Sequence, residues 1–251
     1  MADRPVCSIV IPAYNEELWL PRSLAAAWQA LASIDAAGEI VVVDNMSTDR
    51  TAQIAAAAGA TVVREPVRQI SRVRNTGARH AGGDFLFFVD ADTLLSPELL
   101  REALSRLQHH EAGGGAIVTL DSSHHRLGRF AIRCWNWLST VFRLAAGCFI
   151  YCRRDAFVAV GGFSEAVYAG EELWFSLALR RWAKKHGRRF AILTTHPVVT
   201  SSRKLDWHSP LKQLGLILFF TLFPLATRSR FFCGFWYQRR ADATRPHRTD
   251  P

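Results

Sequence analysis

Two aspartates separated by one alanine, Asp90 and Asp92, directly follow the apolar run FLFFV at 85–89. Like charges at this spacing repel each other, and burial raises the cost of ionising both. A divalent cation or a shared proton would relieve that repulsion. Carboxylate oxygens are suitable ligands for Mg2+ or Mn2+, which also hold substrate phosphates. The pair therefore predicts either a metal site or a nucleophile-and-acid pair.

The surrounding runs predict the elements that must position these aspartates. Runs rich in apolar, mostly β-branched or aromatic residues predict strands at 7–11, 39–44, 61–64, 85–89 and 116–120, with helical patterns at 16–32, 51–58, 71–81 and 97–108. This alternation predicts an α/β, doubly wound, mostly parallel sheet. In such sheets ligands bind beyond the carboxyl ends of the strands. Asp44 and Asp90 each come immediately after, or at the end of, such a strand.

The second half of the chain predicts a more mixed arrangement. We expect a flexible connection at 109–115 and a mobile loop at 121–129, where the sequence is rich in glycine, histidine and polar residues. The stretch 146–163 predicts a strand, a short helix and a glycine turn. An amphipathic helix is predicted at 171–187, ending at Gly187, with a short strand at 189–193.

Charge is unevenly distributed along the 251 residues, whose formal net charge is +9. Residues 1–100 contain 8 Lys and Arg against 12 Asp and Glu, whereas residues 101–251 contain 23 against 10. A basic second half favours an anionic partner such as a substrate phosphate or a membrane surface, although a solvated basic face explains it equally well. The 5 cysteines include no CxxC pair, and the N-terminus lacks the pattern of a signal peptide. We therefore expect a cytoplasmic protein.

The segment 206–240 is apolar and basic, and it is predicted to be helical. Its apolar run at 214–226 is interrupted by Pro224 and is shorter than the ~20 residues that a spanning helix needs. A buried core helix is one interpretation. An in-plane membrane helix is the other, because aromatics and arginines are interleaved at 228–240. A disordered tail is predicted at 241–251.

Four motifs occur in order: SIVIPAYNEE (8–17), VVVDNMSTDRT (41–51), VRNTGARHAGGDFLFFVDADT (73–93) and GEELWFSLALRR (170–181). Together they resemble the family-two, inverting nucleotide-sugar glycosyltransferases with the GT-A fold, over about residues 6–205. The resemblance implies one Rossmann-like domain at 1–205, with a nucleotide-binding half at about 1–120 and a mixed acceptor half at about 121–205. The DADT letters also fit haloacid-dehalogenase-like phosphatases, but that family places the motif after its first strand.

The resemblance implies a nucleotide and metal site at the aspartate pair. Asp90 would face the ribose, and Asp92, with Asp90 as a second candidate, would bind Mn2+ or Mg2+ at the donor diphosphate. Such an ion stabilises charge on the leaving group. His196 and His208 are additional candidate ligands, and an ordinary structural role suits each of them as well. The implied nucleotide-binding residues are Pro12, Ala13, Tyr14, Glu16, Asp44, Arg74, Asp90, Ala91 and Arg203.

A catalytic base is implied at the start of the predicted helix 171–187. An acceptor hydroxyl is a poor nucleophile until it loses its proton. The family usually has Glu-Asp where this chain has Glu171-Glu172. We assign Glu172 as the base and Glu171 as a positioning or secondary candidate. A merely structural acidic first turn, stabilised by the helix dipole, is the alternative.

The resemblance implies a metal-dependent, inverting sugar transfer. Because the QxxRW motif of processive synthases is absent, we expect transfer of a single sugar rather than polymerisation. The donor would be a nucleotide sugar, UDP-linked by preference, and the acceptor a saccharide, a small molecule or a lipid phosphate. We expect no nucleic-acid partner; peripheral contact would place the protein on the inner face of the membrane. The alternatives are a nucleotidyltransferase-like enzyme that activates sugar phosphates and a non-catalytic protein that binds membrane surfaces. Nucleotide binding that depends on Asp90 and Asp92 would argue against the second alternative.

Overall fold

The computed structural model describes residues 5–121, 126–203, 227–229 and 233, with the side chains of 126 and 127 left aside. The strands are β1 (Cys7–Ala13), β2 (Gly38–Asp44), β3 (Thr61–Arg64), β4 (Phe85–Val89), β5 (Thr93–Leu94), β6 (Glu111–Leu120), β7 (Phe149–Arg153) and β8 (Arg189–Thr200). The helices are α1 (Leu20–Ala32), α2 (Thr51–Ala57), α3 (Ile70–His80), α4 (Pro97–His109), α5 (Arg126–Phe142), α6 (Arg154–Ala159) and α7 (Glu171–Lys185).

The strands of the described chain form one mixed sheet in the order β3-β2-β1-β4-β7-β6-β8-β5. The first-half strands β1 to β4 pair in parallel, as the alternation of strands and helices predicts. Beyond β4 the sheet becomes mixed, because β7 runs antiparallel to both β4 and β6, while β6 and β8 are parallel. The expected α/β architecture with a mixed second half is confirmed.

Side chains of both sheet faces are buried, which explains the continuous apolar runs of the central strands. On one face Ile9, Ile11 and Phe87 pack in a cluster with side chains of α1 and α4. On the other face Val10 and Phe88 belong to a cluster that includes α3, α6 and α7. Because helices pack on both faces of the sheet, the ends of the central strands are fixed in position.

Helix α4 begins where its sequence predicts. The Ser96 hydroxyl accepts a hydrogen bond from the amide of Leu99 at 3.2 Å, and Pro97 and Glu98 occupy the first turn. A capping hydroxyl, a proline and an acid at the positive end of the dipole each favour that start. Four further apolar positions of the helix are buried on its inner side: Leu100, Ala103, Leu104 and Leu107. The helix therefore fixes the segment that follows Asp92.

Two expectations for the second half are wrong. The stretch 109–115 is not a flexible connection, because residues from Glu111 onward form the first half of β6. At Gly113 a Cβ would lie 2.5 Å from the carbonyl oxygen of Tyr151, so the glycine permits a close approach of backbones rather than a loop. The expected loop at 121–129 is wrong in its last part, because α5 begins at Arg126. Strand β8 also continues past 193 to Thr200.

The predictions for 206–226, for most of 227–240 and for the tail 241–251 lie outside the described residues. The division into nucleotide and acceptor halves stays a prediction. Within the described part of the chain, no helix is both long enough and apolar enough to cross a membrane.

Candidate active site

The carboxyl ends of β1, β2 and β4 meet at one edge of the sheet, where the candidate nucleotide-binding residues lie. Ala13 pairs with Asp44 in the last register position of β1 and β2. The buried Asp44 carboxylate accepts a hydrogen bond from the amide of Ser47 at 3.2 Å. In the neighbouring loop, the side-chain oxygen of Asn15 accepts from the amide of Thr48 at 2.8 Å. The two loops therefore brace each other.

Tyr14 provides a partly exposed aromatic ring at this edge. The guanidinium carbon of Arg68 lies 3.7 Å from the centroid of the ring. Pro12 and Ala13 are buried in β1 itself. Ala91 is buried between the two aspartates, and its carbonyl accepts a hydrogen bond from the Ser23 hydroxyl at 2.6 Å. Helix α1 therefore positions the aspartate segment directly.

Arg203, beyond the end of β8, joins two candidate carboxylates. Its Nε and Nη2 lie 2.9 Å and 2.8 Å from Oδ2 of Asp92, and Nη2 donates to Oε1 of Glu16 at 2.8 Å. Burial alone would lower the pKa of Arg203, but attraction to Asp92 and the hydrogen bond to Glu16 raise it overall. The Asp92 side chain is only 2% exposed. A cation therefore does belong beside Asp92, and here it is a guanidinium group.

Arg74 of α3 forms a second cluster with the other aspartate. Its Nη1 donates to Oε1 of Glu171 at 2.5 Å, and its Nη2 donates to Oδ1 of Asp90 at 3.1 Å and to the carbonyl of Gly147 at 2.7 Å. Burial alone would lower the pKa of Arg74, but Glu171 and Asp90 raise it overall. Each aspartate of the pair therefore has its own arginine, which offsets the repulsion that the sequence posed.

Glu172 lies in the first turn of α7, beside this cluster. Burial and the neighbouring charge of Glu171 raise the pKa of its carboxyl to about 8, although Arg74 acts in the opposite direction. No salt bridge to Glu172 is found among the described residues, because Arg74 is already paired with Glu171 and Asp90. A carboxylate with this pKa is a stronger base than an ordinary one.

The predicted metal ligands give a divided result. Within the described ranges, no group of three or more His, Cys, Asp and Glu side chains is arranged to hold a metal ion. Mg2+, however, is commonly held by one or two carboxylates together with substrate phosphates. The buried carboxylate of Asp92 is paired with Arg203, so a metal ion at Asp92 would compete with that guanidinium group. His196 acts electrostatically on Glu98 at the start of α4, and His208 lies outside the described residues.

Sequence reasoning did not identify three residues that shape the site. Arg68 covers Tyr14, and the carbonyl of Gly147 helps to hold Arg74. Asn75 fixes the glycine turn before α7, because its side chain accepts from the amide of Phe163 and donates to the carbonyl of the same residue, both at 2.9 Å. A backbone carbonyl has no signature in a sequence, but Asn75 directly follows Arg74 in a motif and could have been considered.

The known proteins that this chain resembles are glycosyltransferases. The sequence model of glycosyl transferase family 2 matches residues 8–161. An uncharacterized glycosyltransferase of Haemophilus influenzae is 26% identical over 188 residues, which are 68% of this chain and 61% of that protein. An undecaprenyl-phosphate 4-deoxy-4-formamido-L-arabinose transferase of Pseudomonas paraeruginosa is 34% identical over 119 residues, 44% of this chain and 34% of that enzyme. The chain thus spans less than two thirds of either relative.

Among solved structures, a glucosyl-3-phosphoglycerate synthase of Mycobacterium tuberculosis superposes with a TM-score of 0.61. That structure, in complex with Mg2+ and uridine diphosphate, shares 22% identity and covers 93% of this chain and 80% of its own. This likeness shows that the two chains share a fold.

Proposed function

Because the chain belongs to glycosyl transferase family 2, whose model matches residues 8–161, we propose that it transfers a single sugar from a nucleotide-sugar donor to an acceptor hydroxyl or lipid phosphate. The expectation of a family-two glycosyltransferase with the GT-A fold is confirmed. The donor, UDP-linked by preference, the metal dependence and the inverting course are our proposals. The observation that supports the site most is the cluster at Arg74, which joins Asp90 to Glu171 beside Glu172 and its raised pKa.

The proposed donor site lies at the edge formed by β1, β2 and β4. Tyr14 and Asp44 would contact the base, and Asp90 would accept a hydrogen bond from the ribose. Asp92, with Asp90 as a second ligand, would hold a divalent ion, which supplies positive charge to the departing diphosphate. The donor diphosphate would compete with Asp92 for the guanidinium group of Arg203. Arg203 would then contribute a second positive charge beside the departing diphosphate.

Glu172 would act as the base of a single displacement. Its carboxylate takes the proton from the acceptor hydroxyl while the oxygen bonds to the anomeric carbon. The bond from that carbon to the diphosphate oxygen breaks on the opposite face, and its electron pair leaves with the diphosphate. Arg74 positions the base, because it forms an ion pair with Glu171 and none with the neighbouring Glu172, whose pKa is raised to about 8.

Donor hydrolysis or transfer, measured as release of nucleoside diphosphate with Mn2+ or Mg2+, tests the proposal. Asp92→Asn should lose most of the metal-dependent rate, whereas Asp35→Asn, an exposed position in the loop before β2, should retain it. Pyrophosphate release from a nucleoside triphosphate would instead indicate the nucleotidyltransferase alternative. Full metal-dependent activity in Asp92→Asn would refute the proposed role of this residue.

Peripheral contact between residues 206–240 and the inner face of the membrane remains part of the proposal. These residues lie largely outside the described part of the chain.

A further inference from the structure

Helix α5 exposes an apolar stripe on the side that faces away from the sheet. Phe130, Trp137 and Val141 are 64%, 63% and 54% exposed. With Cys134, which is also exposed, they recur at intervals of four, three and four residues, so they line one side of the helix over about 16 Å. Large apolar side chains repeated in this way are unusual on a solvated surface.

The opposite side of α5 is already used for packing. Ile132 and Trp135 pack against the hydrophobic core. Asn136 accepts a hydrogen bond from the amide of Val118 in β6 and donates to the carbonyl of the same residue, both at 2.9 Å. The exposed stripe is therefore not the side of α5 that packs against the sheet. It is a second apolar face on a helix that is fixed in place.

The charges of α5 indicate what covers this face. Its sequence, RLGRFAIRCWNWLSTVF, contains three arginines and no acid. Of these, Arg129 and Arg133 are exposed, and they lie along one side of the stripe. Aromatic and aliphatic side chains bordered by arginines are the composition of helices that lie in the plane of an anionic bilayer.

Two other occupants fit the charge less well. Residues 204–251 contain 8 Lys and Arg against 3 Asp and Glu, so this segment carries the same sign of charge as α5. A second copy of the chain would bring the same arginines to the same face. An anionic lipid surface supplies the opposite charge together with an apolar phase.

We propose that the outer face of α5, formed by Phe130, Cys134, Trp137 and Val141 with Arg129 and Arg133, docks the protein on an anionic lipid bilayer. This surface differs from the predicted contact of residues 206–240, and it does not require the proposed sugar transfer.

The position of α5 gives the contact a consequence for the site. The carbonyl of Phe142, the last residue of α5, accepts a hydrogen bond from Arg180 of α7. Five residues later, the carbonyl of Gly147 accepts from Arg74. A bilayer under α5 would therefore lie beside the helix that carries Glu172, where a lipid-linked acceptor could enter. This consequence, unlike the surface itself, rests on the proposed function.

Vesicle sedimentation of the full chain tests the proposal, with phosphatidylcholine vesicles compared with mixtures of phosphatidylcholine and phosphatidylglycerol. We expect binding to the anionic vesicles that weakens as salt rises. Phe130→Glu combined with Trp137→Glu should weaken it by at least about tenfold. Val158→Glu, an exposed apolar position on α6, is the matched control and should bind as the wild type does.

A charge series separates the arginines from general basicity. Arg129→Ala with Arg133→Ala should weaken binding by roughly fivefold for each arginine at low salt. Lys184→Ala with Lys185→Ala, two exposed cations of the last turn of α7, should have a smaller effect. Equal losses in both pairs, or unchanged binding in the α5 pair, would overturn the assignment. Donor hydrolysis measured without vesicles in the same variants reports on the proposed function independently.

Cys134 provides a direct probe of the face. Among the five cysteines it is the exposed one, whereas Cys7, Cys152 and Cys233 are buried and Cys148 is partly buried. A charged maleimide should label Cys134 rapidly in free protein and slowly on anionic vesicles, as located by peptide mapping. Slow labelling in a vesicle-free monomer would show that the chain covers its own helix. Slow labelling in a dimer would show a second copy there, and either result would overturn the proposal.

Discussion

Replacing Glu172 with glutamine should make the fold more stable at alkaline pH, while it removes the proposed base. In the fold, burial and then the charge of Glu171 raise the pKa of Glu172 from 4.5 to about 8. Between these two values the folded chain binds a proton that the unfolded chain has lost. The raised pKa therefore contributes stability that is fully present below about pH 4.5 and is lost by about pH 8.

The size of this effect follows from the shift. A rise of about 3.5 pKa units corresponds to about 5 kcal/mol of differential stability. Since a typical domain is stable by about 5–15 kcal/mol, the change is large enough to measure. Glutamine has nearly the same shape and never ionises. Glu172→Gln should therefore match the wild type near pH 4 and exceed its free energy of unfolding by up to about 5 kcal/mol near pH 9.

Urea unfolding of both proteins at several pH values measures this difference, because all other titrating groups are shared. Glu171→Gln is the contrasting variant. It removes a partner that lies 2.5 Å from the buried Arg74, so it should destabilise the fold by about 3 kcal/mol near neutral pH. A difference between wild type and Glu172→Gln that does not change with pH would refute the reasoning, as would stabilisation of similar size in Glu171→Gln.

Three further outcomes are expected. The kcat/KM for transfer should rise by about tenfold per pH unit up to about pH 8, where Glu172 becomes the carboxylate; a flat profile would exclude it as the base. Arg203→Ala should lower the melting temperature, because it removes the ion pair with the buried Asp92. The variant should also bind Mn2+ more tightly in calorimetry without donor, because the guanidinium no longer competes for Asp92. Unchanged Mn2+ affinity would contradict this. Gly77→Ala should destabilise the fold by about 2 kcal/mol in urea unfolding, since a methyl group there collides with Val10. The cost of overpacking exceeds the gain of up to about 1 kcal/mol in helix propensity. An unchanged or higher stability would show that the side chains around Val10 can move aside.

The sequence was most informative where one signal dominates. The strand at 85–89 and the strand at 61–64 were predicted with their observed bounds, because apolar, largely β-branched or aromatic runs end at polar residues. The first half of β6 was missed because its glycines suggest flexibility, although Gly113 serves close backbone packing. Helix α5 was not predicted at all, because histidines and arginines at its start obscure its apolar pattern.

At the candidate site, motifs predicted which residue types gather but not how they pair. The sequence placed Asp90 and Asp92 together and put Glu172 near them. It did not predict that Arg203 would bind Asp92, because the two are 111 positions apart and no periodic pattern connects them. The raised pKa of Glu172 was equally hidden, since it depends on burial and on three-dimensional neighbours.

The bond between Arg203 and Glu16 connects residues that are 187 positions apart. Contacts of such long sequence separation form late in folding, because much chain must be ordered before they can close. During synthesis, the acidic edge of the sheet emerges from the ribosome well before the guanidinium group that neutralises it. The nascent chain would thus complete this edge of the sheet only after Arg203 has been synthesised.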